Sequence, residues 1–244
     1  MSGLWSRIFH KSTPAGVRCS AVVPAAGSAS RMEGQDKLML PMGDAPVLVH
    51  TLRALDCCAY ITEIVVVTRG DLIVPISQLC RDYAINKVRK VIVGGKTRTH
   101  SVLAGVDEVS GDAQLIAIHD GARPLVSQQV LEEVILRAAQ CGAAAPGVPL
   151  KDTVKRMNGE VVATTLGPDA LGAGQISQVF EPPLIKAALT RALEENAALT
   201  DDCSAVERLG IGVVITRGSY ANIKITTPED MAVCQALLEW REEH

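Results

Sequence analysis

Two cations stand at the far end of a loop made almost entirely of small residues. The stretch AVVPAAGSASRM (residues 21–32) runs from an apolar segment into Ala, Gly and Ser, ends near Arg31, and is followed by Lys37. Small side chains let a ligand approach the backbone amides closely, and Arg and Lys neutralise phosphate oxygens. The pattern favours a triphosphate as ligand, with a plain tight turn carrying two solvated cations as the alternative.

Two later loops carry polar residues directly after apolar runs. GGKTRTHS (residues 94–101) places glycines after one run and hydroxyls at a helix start, where backbone groups could read a base edge or simply open the helix. HDGARP (residues 119–124) places Asp120 at the end of another run. An Asp in that place is suited to a metal ion or to ribose hydroxyls. The alternative is an Asp-Gly turn in which Asp120 pairs with Arg123.

The elements that would position these loops follow an alternating pattern from Cys19 onward. Short β-branched runs such as SAVVP and EIVVVT alternate with segments such as VLVHTLRALDC, whose apolar residues recur every three or four positions. This alternation predicts an α/β fold, a doubly wound and mostly parallel sheet of Rossmann-like type with helices on both faces. Ligands of such sheets lie beyond the carboxyl ends of the strands, where all three loops fall.

The alternation breaks after Pro149. The stretch DTVKRMNGEVVATT has two β-rich halves joined by Asn158-Gly159, a pair typical of a type I′ hairpin turn. We therefore predict a projecting β-hairpin arm within residues 151–175. Because exposed strand edges need a cover, we expect the arm to form a homodimer.

Composition limits the remaining possibilities. The 244 residues carry a net charge of −3, and the absence of a basic field argues against nucleic-acid binding. No apolar run has the roughly 20 residues of a membrane span, and the first residues lack the features of a signal peptide. We expect a cytoplasmic protein with a flexible extension at residues 1–18 and one domain at 19–244. The seven cysteines are scattered and never spaced as CxxC, which favours reduced thiols.

Taken together, the motifs resemble one enzyme family over about residues 21–238. VVPAAGSASRM, Lys37, GGKTRTHSVLAG, HDGARP, KDTVKR, TDDCSAVE and NIKITTPEDM occur in the order and spacing of 2-C-methyl-D-erythritol 4-phosphate cytidylyltransferases. The resemblance implies a nucleotidyltransferase fold with a dimerising β-arm. It also implies transfer of CMP from CTP to methylerythritol phosphate, with Mg²⁺ as cofactor and release of pyrophosphate, in the non-mevalonate route to isoprenoids.

The resemblance assigns roles residue by residue. The acceptor phosphate is already mostly dianionic at neutral pH, so no general base is required. Each histidine (His10, His50, His100, His119 and His244) is therefore expected to be solvated or structural. The implied catalytic residues are Arg31, Lys37 and Lys224. The implied nucleotide-binding residues are Pro24, Ala25, Ala26, Gly27, Gly95, Ser101 and Asp120, with Asp120 also the expected metal ligand. The implied acceptor-binding residues are Arg123, Thr153 and Lys224.

The sequence also departs from the family pattern. Ala29 and Ser30 stand where a second glycine and a basic residue are usual. Where the family has an Arg that reaches the neighbouring subunit, an aromatic residue and Thr-Pro-Gln, this chain has Pro168, Gly172 and Ile176-Ser177-Gln178. These changes fall on the acceptor side. They keep open CMP transfer to another alditol phosphate, such as ribitol 5-phosphate, and a weakly active or non-catalytic nucleotide-binding paralogue.

Overall fold

The computed structural model describes residues 16–27, 36–168 and 171–243. Its helices are α1 (Val47–Cys57), α2 (Ile73–Asp82), α3 (Arg98–Asp107), α4 (Gln128–Cys141), α5 (Pro182–Glu194), α6 (Asp202–Glu207) and α7 (Pro228–Glu243). Its strands are β1 (Cys19–Pro24), β2 (Pro41–Met42), β3 (Ala45–Pro46), β4 (Ile61–Thr68), β5 (Val88–Val93), β6 (Leu115–Ile118), β7 (Ala143–Pro149), β8 (Lys155–Asn158), β9 (Val161–Thr165), β10 (Gly172–Gly174), β11 (Gln178–Phe180) and β12 (Val214–Arg217).

The central sheet has the strand order β5-β4-β1-β6-β11-β7, with β10 and β12 also paired to β7. The first four strands are mutually parallel, and β12 is parallel to β7. β11 runs antiparallel to both β6 and β7, and β10 is antiparallel to β7. The predicted doubly wound, mostly parallel α/β fold is therefore confirmed. The antiparallel insertion of β11 between β6 and β7 was not indicated by the sequence.

Both faces of the sheet are covered by helices. On β1, Ala21 and Val23 face one apolar core, and Val22 faces the other. All three are fully buried, as expected of a strand covered on both faces. α1, α2, α4 and α7 contribute to the first core, and α3, α5 and α6 contribute to the second. The carboxyl ends of β1, β4, β5 and β6 thus meet at one edge of the domain.

The predicted arm is present as the two-stranded hairpin β8–β9, whose residues are all exposed. Its turn differs from the prediction. Asn158 pairs with Val161, so the loop residues are Gly159 and Glu160. Gly159 has φ of +59°, whereas neither Asn158 nor Glu160 has a positive φ. A positive φ at the first loop residue alone is the type II′ pattern, so the type I′ assignment to Asn158-Gly159 was wrong.

One helix lies unusually close to the sheet beneath the loops. Gly105 on α3 is buried, and a Cβ there would lie closer than van der Waals contact to Val22 and Val67. We expect Gly105→Ala to lower the free energy of unfolding by about 1–2 kcal/mol, because overpacking outweighs the gain in helix propensity. Gly111→Ala, whose Cβ meets no atom within 4 Å, is the matched control. Urea denaturation checks both, and an unchanged Gly105→Ala midpoint would contradict the packing.

Candidate active site

A cavity of about 400 Å³ opens at the carboxyl ends of the parallel strands. It brings together nine of the residues singled out from the sequence: Pro24, Ala25, Ala26, Gly27, Lys37, Gly95, Ser101, Asp120 and Lys224. Among the described residues, Leu38, Lys96, Thr97, Arg98, Gly121 and Ala122 also line it. Arg31 lies outside the described residues.

The start of the first loop is fixed to the sheet. The Ala25 amide donates to Val67 O at 2.7 Å, and Thr68 Oγ1 donates to Ala25 O at 3.2 Å. Gly121 N donates to Pro24 O at 3.2 Å, which ties this loop to the one after β6. The loop therefore leaves the sheet at a defined point, and its small residues form one wall of the cavity.

The second loop is a tight turn packed against its own helix. The Ser101 hydroxyl accepts from Gly95 N at 3.1 Å and donates to Thr97 O at 3.0 Å. Thr97 caps α3, its side chain accepting from His100 N. A Cβ on Gly94 would come within 2.6 Å of Ser101 Oγ, so a larger residue there would displace the Ser101 hydroxyl from these contacts. Ser101 thus shapes the loop from inside.

A row of four alternating charges, three of which line the cavity, runs from Lys224 to Asp202. Asp120 Oδ2 accepts from Lys224 Nζ at 2.8 Å, and Asp120 Oδ1 accepts from Arg98 Nη2 at 3.2 Å. Arg98 also binds both carboxylate oxygens of Asp202, at 2.9 and 2.8 Å. Asp120 is therefore paired with Arg98 and Lys224, and the alternative pairing with Arg123 was wrong.

The pKa values of the two carboxyls move in opposite directions. Burial alone would raise the pKa of Asp120, but the charges of Arg98, Lys224 and Arg123 lower it to about 2. Asp120 is therefore ionised at neutral pH. Burial raises the pKa of Asp202, and Arg98 only partly offsets that rise.

The two predicted lysines lie on the same side of the cavity. Lys37 Nζ donates to Ile225 O at 2.7 Å, directly beside Lys224. The segment 222–226 is neither helix nor strand, and Ile225 N donates to Ala122 O at 2.9 Å. Contacts across the cavity, rather than regular secondary structure, hold this segment in place.

Two predicted acceptor residues do not line the cavity. Arg123 Nη1 donates to Asn222 O at 2.6 Å, and its buried Nε has no hydrogen-bond partner. Burial lowers the pKa of Arg123. Thr153 is exposed at the base of the arm. The acceptor-binding roles of both residues stay predictions.

His119, next to Asp120, is a structural residue. Its fully buried ring contacts Ser177 Oγ through Nδ1 and Arg123 O through Nε2. Burial lowers its pKa to about 4, so the imidazole is neutral at pH 7. Ser177 is one of the departures from the family pattern, and the hydrogen bond to His119 gives it a role. The other described histidines, His50 and His100, do not line the cavity.

The other departures lie apart from this cavity. Pro168 and Gly172 line a second cavity of about 550 Å³, beside β7 and β10. Ile176 is buried next to Ser177. Ala29 and Ser30 lie outside the described residues. Within one chain, the segment that departs from the family pattern therefore lines a different cavity from the predicted nucleotide-binding loops.

Three charged residues of the site were not identified from the sequence. Lys96 and Arg98 line the cavity, and Asp202 holds Arg98 from behind. All three stand in the motifs GGKTRTHS and TDDCSAVE, but the spacing of these motifs gives no sign that they meet. Arg98 and Asp202 are 104 residues apart in sequence, so only the fold pairs them.

This fold and this cavity define an α/β protein of the nucleotidyltransferase class. The family model for 2-C-methyl-D-erythritol 4-phosphate cytidylyltransferase (IspD) matches residues 19–240, and the chain belongs to that family. Proteins of that name from Halalkalibacterium halodurans and Desulforamulus reducens are 40% and 45% identical to it. The first alignment covers 91% of this chain and 98% of the relative, and the second covers 91% and 96%.

Solved structures agree with this assignment. The crystal structure of 4-diphosphocytidyl-2C-methyl-D-erythritol synthase from Anaerococcus prevotii superposes with a TM-score of 0.82 at 31% identity, covering 92% of this chain and 97% of that one. The 2-C-methyl-D-erythritol 4-phosphate cytidylyltransferase of Thermus thermophilus gives 0.76 at 28% identity, covering 91% and 100%. Among the described residues, no helix has the length and apolar character to cross a membrane.

The buried imidazole predicts a pH dependence of stability. The pKa of His119 is about 4 in the folded chain and about 6.5 when exposed, so the unfolded chain binds the proton first as pH falls. The contribution of this group to the free energy of unfolding, about 3 kcal/mol, should be fully present above pH 6.5 and should be lost toward pH 4. Urea denaturation between pH 7 and 4 should show a flatter decline for His119→Asn than for the wild type. Equal slopes would contradict a neutral buried imidazole.

Proposed function

We propose that this chain transfers CMP from CTP to 2-C-methyl-D-erythritol 4-phosphate and releases pyrophosphate. The observation that carries the proposal is the cavity at the strand ends, where small-residue loops face Lys37 and Lys224. We infer the substrates from the names of the family and of the relatives. A wall of small residues accommodates a nucleotide, and the cations suit its phosphates and the acceptor phosphate.

The chemistry requires charge and positioning more than proton transfer. A phosphate oxygen of the acceptor attacks the α-phosphorus of CTP, and the bond from that phosphorus to the bridging oxygen of pyrophosphate breaks. The nucleophile is already mostly dianionic at neutral pH, so no side chain has to remove a proton. Lys37, Lys224 and Arg31 would stabilise the negative charge that accumulates in the transition state. The neutral, buried His119 agrees with this scheme.

Mg²⁺ fits the residues present as a partner of the nucleotide. Asp120 is the one carboxylate among the described residues that line the cavity, and no group of three metal-ligating side chains occurs in the described part of the chain. Mg²⁺ is commonly held by one or two carboxylates together with substrate phosphates. Asp120 would be the protein ligand, since each of its oxygens accepts one hydrogen bond and retains a lone pair. When bound, the ion would neutralise phosphate charge.

The departures from the family pattern concern the acceptor site. An arginine contact to phosphate contributes about 1.5–3 kcal/mol, so Pro168 in its place favours a weakened acceptor site or a different alditol phosphate. The test is pyrophosphate release from CTP and Mg²⁺ with methylerythritol phosphate or ribitol 5-phosphate. We expect turnover with the first acceptor and at most a few per cent of that rate with the second. A preference for ribitol 5-phosphate would transfer the proposal to that substrate, and no release with either would refute it.

The same assay tests the catalytic cations. We expect Lys37→Ala and Arg31→Ala each to lower kcat by about 100-fold, because each removes charge that meets the transition state. Lys186→Ala is the matched control. Lys186 is 59% exposed and paired with Asp107 on the surface, so the control should turn over normally. Normal turnover of Lys37→Ala would mean that the loop is only a turn.

The homodimer is the second part of the proposal. Met157, Val161 and Val162 expose 50%, 70% and 49% of their surface on the hairpin, although a two-stranded hairpin alone is barely stable in water. A second copy would cover these side chains and the free strand edges.

Deleting residues 155–161, or changing these three side chains together to Ser, should convert dimers to monomers in sedimentation equilibrium. Val74→Ser removes an apolar side chain of 73% exposure on α2 and should leave the dimer intact. A full-length protein that is monomeric at micromolar concentration would overturn the proposal.

A further inference from the structure

In the row of four charges, the two carboxylates are buried and the two cations are partly exposed. The side chains of Asp202 and Asp120 are 1% and 8% exposed, whereas those of Arg98 and Lys224 are 36% and 39% exposed. We propose that Asp202 is a positioning residue for the transfer reaction. Through Arg98 and Asp120, it holds the Lys224 ammonium where that group meets the acceptor phosphate. This inference rests on the proposed function.

The first link is a fork that fixes a plane. Arg98 Nη1 and Nη2 donate to the two oxygens of Asp202 at 2.9 and 2.8 Å. Two parallel bonds between a guanidinium and a carboxylate fix the orientation of the guanidinium, which a single contact does not. Arg98 Nη2 then reaches Asp120 Oδ1 at 3.2 Å. The direction from which Arg98 approaches Asp120 is therefore set by Asp202.

The second link passes from Asp120 to Lys224. With Oδ1 oriented by Arg98, Asp120 presents Oδ2 to Lys224 Nζ at 2.8 Å. A lysine side chain has four flexible methylene groups, and about 2 kcal/mol of rotamer entropy opposes fixing it. Lys224 stands in the irregular segment 222–226, so no strand or helix restricts its side chain. Anchoring the ammonium before the substrate arrives removes that cost from binding.

Asp202 is itself held by groups outside the cavity. Gln178 Oε1 accepts from the backbone amides of Asp202 and Cys203, both at 3.0 Å. Gln178 Nε2 donates to Asp201 Oδ2 at 2.6 Å, and Asp201 caps α6 through Ser204 N. The start of α6 is thus fixed by buried β11 and by its own capping box. The position of Asp202 is therefore fixed independently of the cavity, and Asp202 can in turn fix the position of Arg98.

The test is a double-mutant cycle in steady-state kinetics with CTP and methylerythritol phosphate. Asp202→Asn should raise KM for the acceptor about tenfold and KM for CTP less than threefold, because the displaced group is the acceptor cation. Lys224→Met should raise the acceptor KM at least as much. In the double variant, the Asp202 change should cost no more than twofold beyond Lys224→Met, because the group through which it acts is gone.

The matched control is Asp201→Asn. It makes the same chemical change one residue away, at the same helix start, but its carboxylate contacts Gln178 and Ser204 and none of the cavity cations. It should leave the acceptor KM within twofold of wild type, because the asparagine oxygen still caps α6 through Ser204 N and Gln178 Oε1 still accepts from the amides of Asp202 and Cys203. Only the bond from Gln178 Nε2 is lost. An equal KM rise in Asp201→Asn would show that any disturbance of α6 suffices and would overturn the inference.

If Asp202→Asn does not fold, as judged by thermal unfolding, Arg98→Lys replaces it in the cycle. It keeps the charge but loses the fork, and it should raise the acceptor KM by the same factor. Penalties that multiply in the double variant would overturn the positioning role. A wild-type chain that releases no pyrophosphate refutes the proposed function itself, whereas an active wild type with multiplying penalties rejects only the role of Asp202.

Discussion

Asp120 is a carboxylate buried at the end of a central strand, and the rest of the site depends on keeping it ionised there. A buried charge is tolerated only when it is paired, and here two cations from distant parts of the chain provide the pairing. This constraint brings the start of α3 and the segment before α7 to the end of β6. The same contacts that satisfy Asp120 place positive charge around the cavity. In the proposed function, one set of groups thus serves both stability and phosphate binding.

The cations around the cavity differ in the groups that they contact. Arg98 is held by two carboxylates; burial alone would lower its pKa, but pairing with Asp202 and Asp120 raises it above its usual range. It is therefore a fixed structural charge. Lys224 has one carboxylate partner, and Lys37 contacts a backbone carbonyl. Lys37 and Lys224 are the ammonium groups to which the family resemblance assigns catalytic roles.

Much of the fold was predictable because local patterns carry it. The β-branched runs became β1, β4, β5 and β6, and the three- and four-residue spacing became α1 and α3. The direction of β11 was not predictable, because alternation of side chains is the same in parallel and antiparallel strands. The exact turn of the arm was missed because register depends on pairing along both strands. In the site, the loops were found from their small residues, but the pairing of Arg98 with Asp202 depends on tertiary structure alone.

The antiparallel insertion sets an order in which the sheet can be completed. β7 joins the sheet only through β11, and β11 lies beyond the hairpin in the chain. The four parallel strands from Cys19 to Ile118 can pair as soon as they are made, but β7 must wait for residues 178–180 to enter between it and β6. Residues 143–149 can therefore join the sheet only after residues 178–180 have been made. Asp202 follows still later, so the charge row at the cavity is assembled among the last features of the fold.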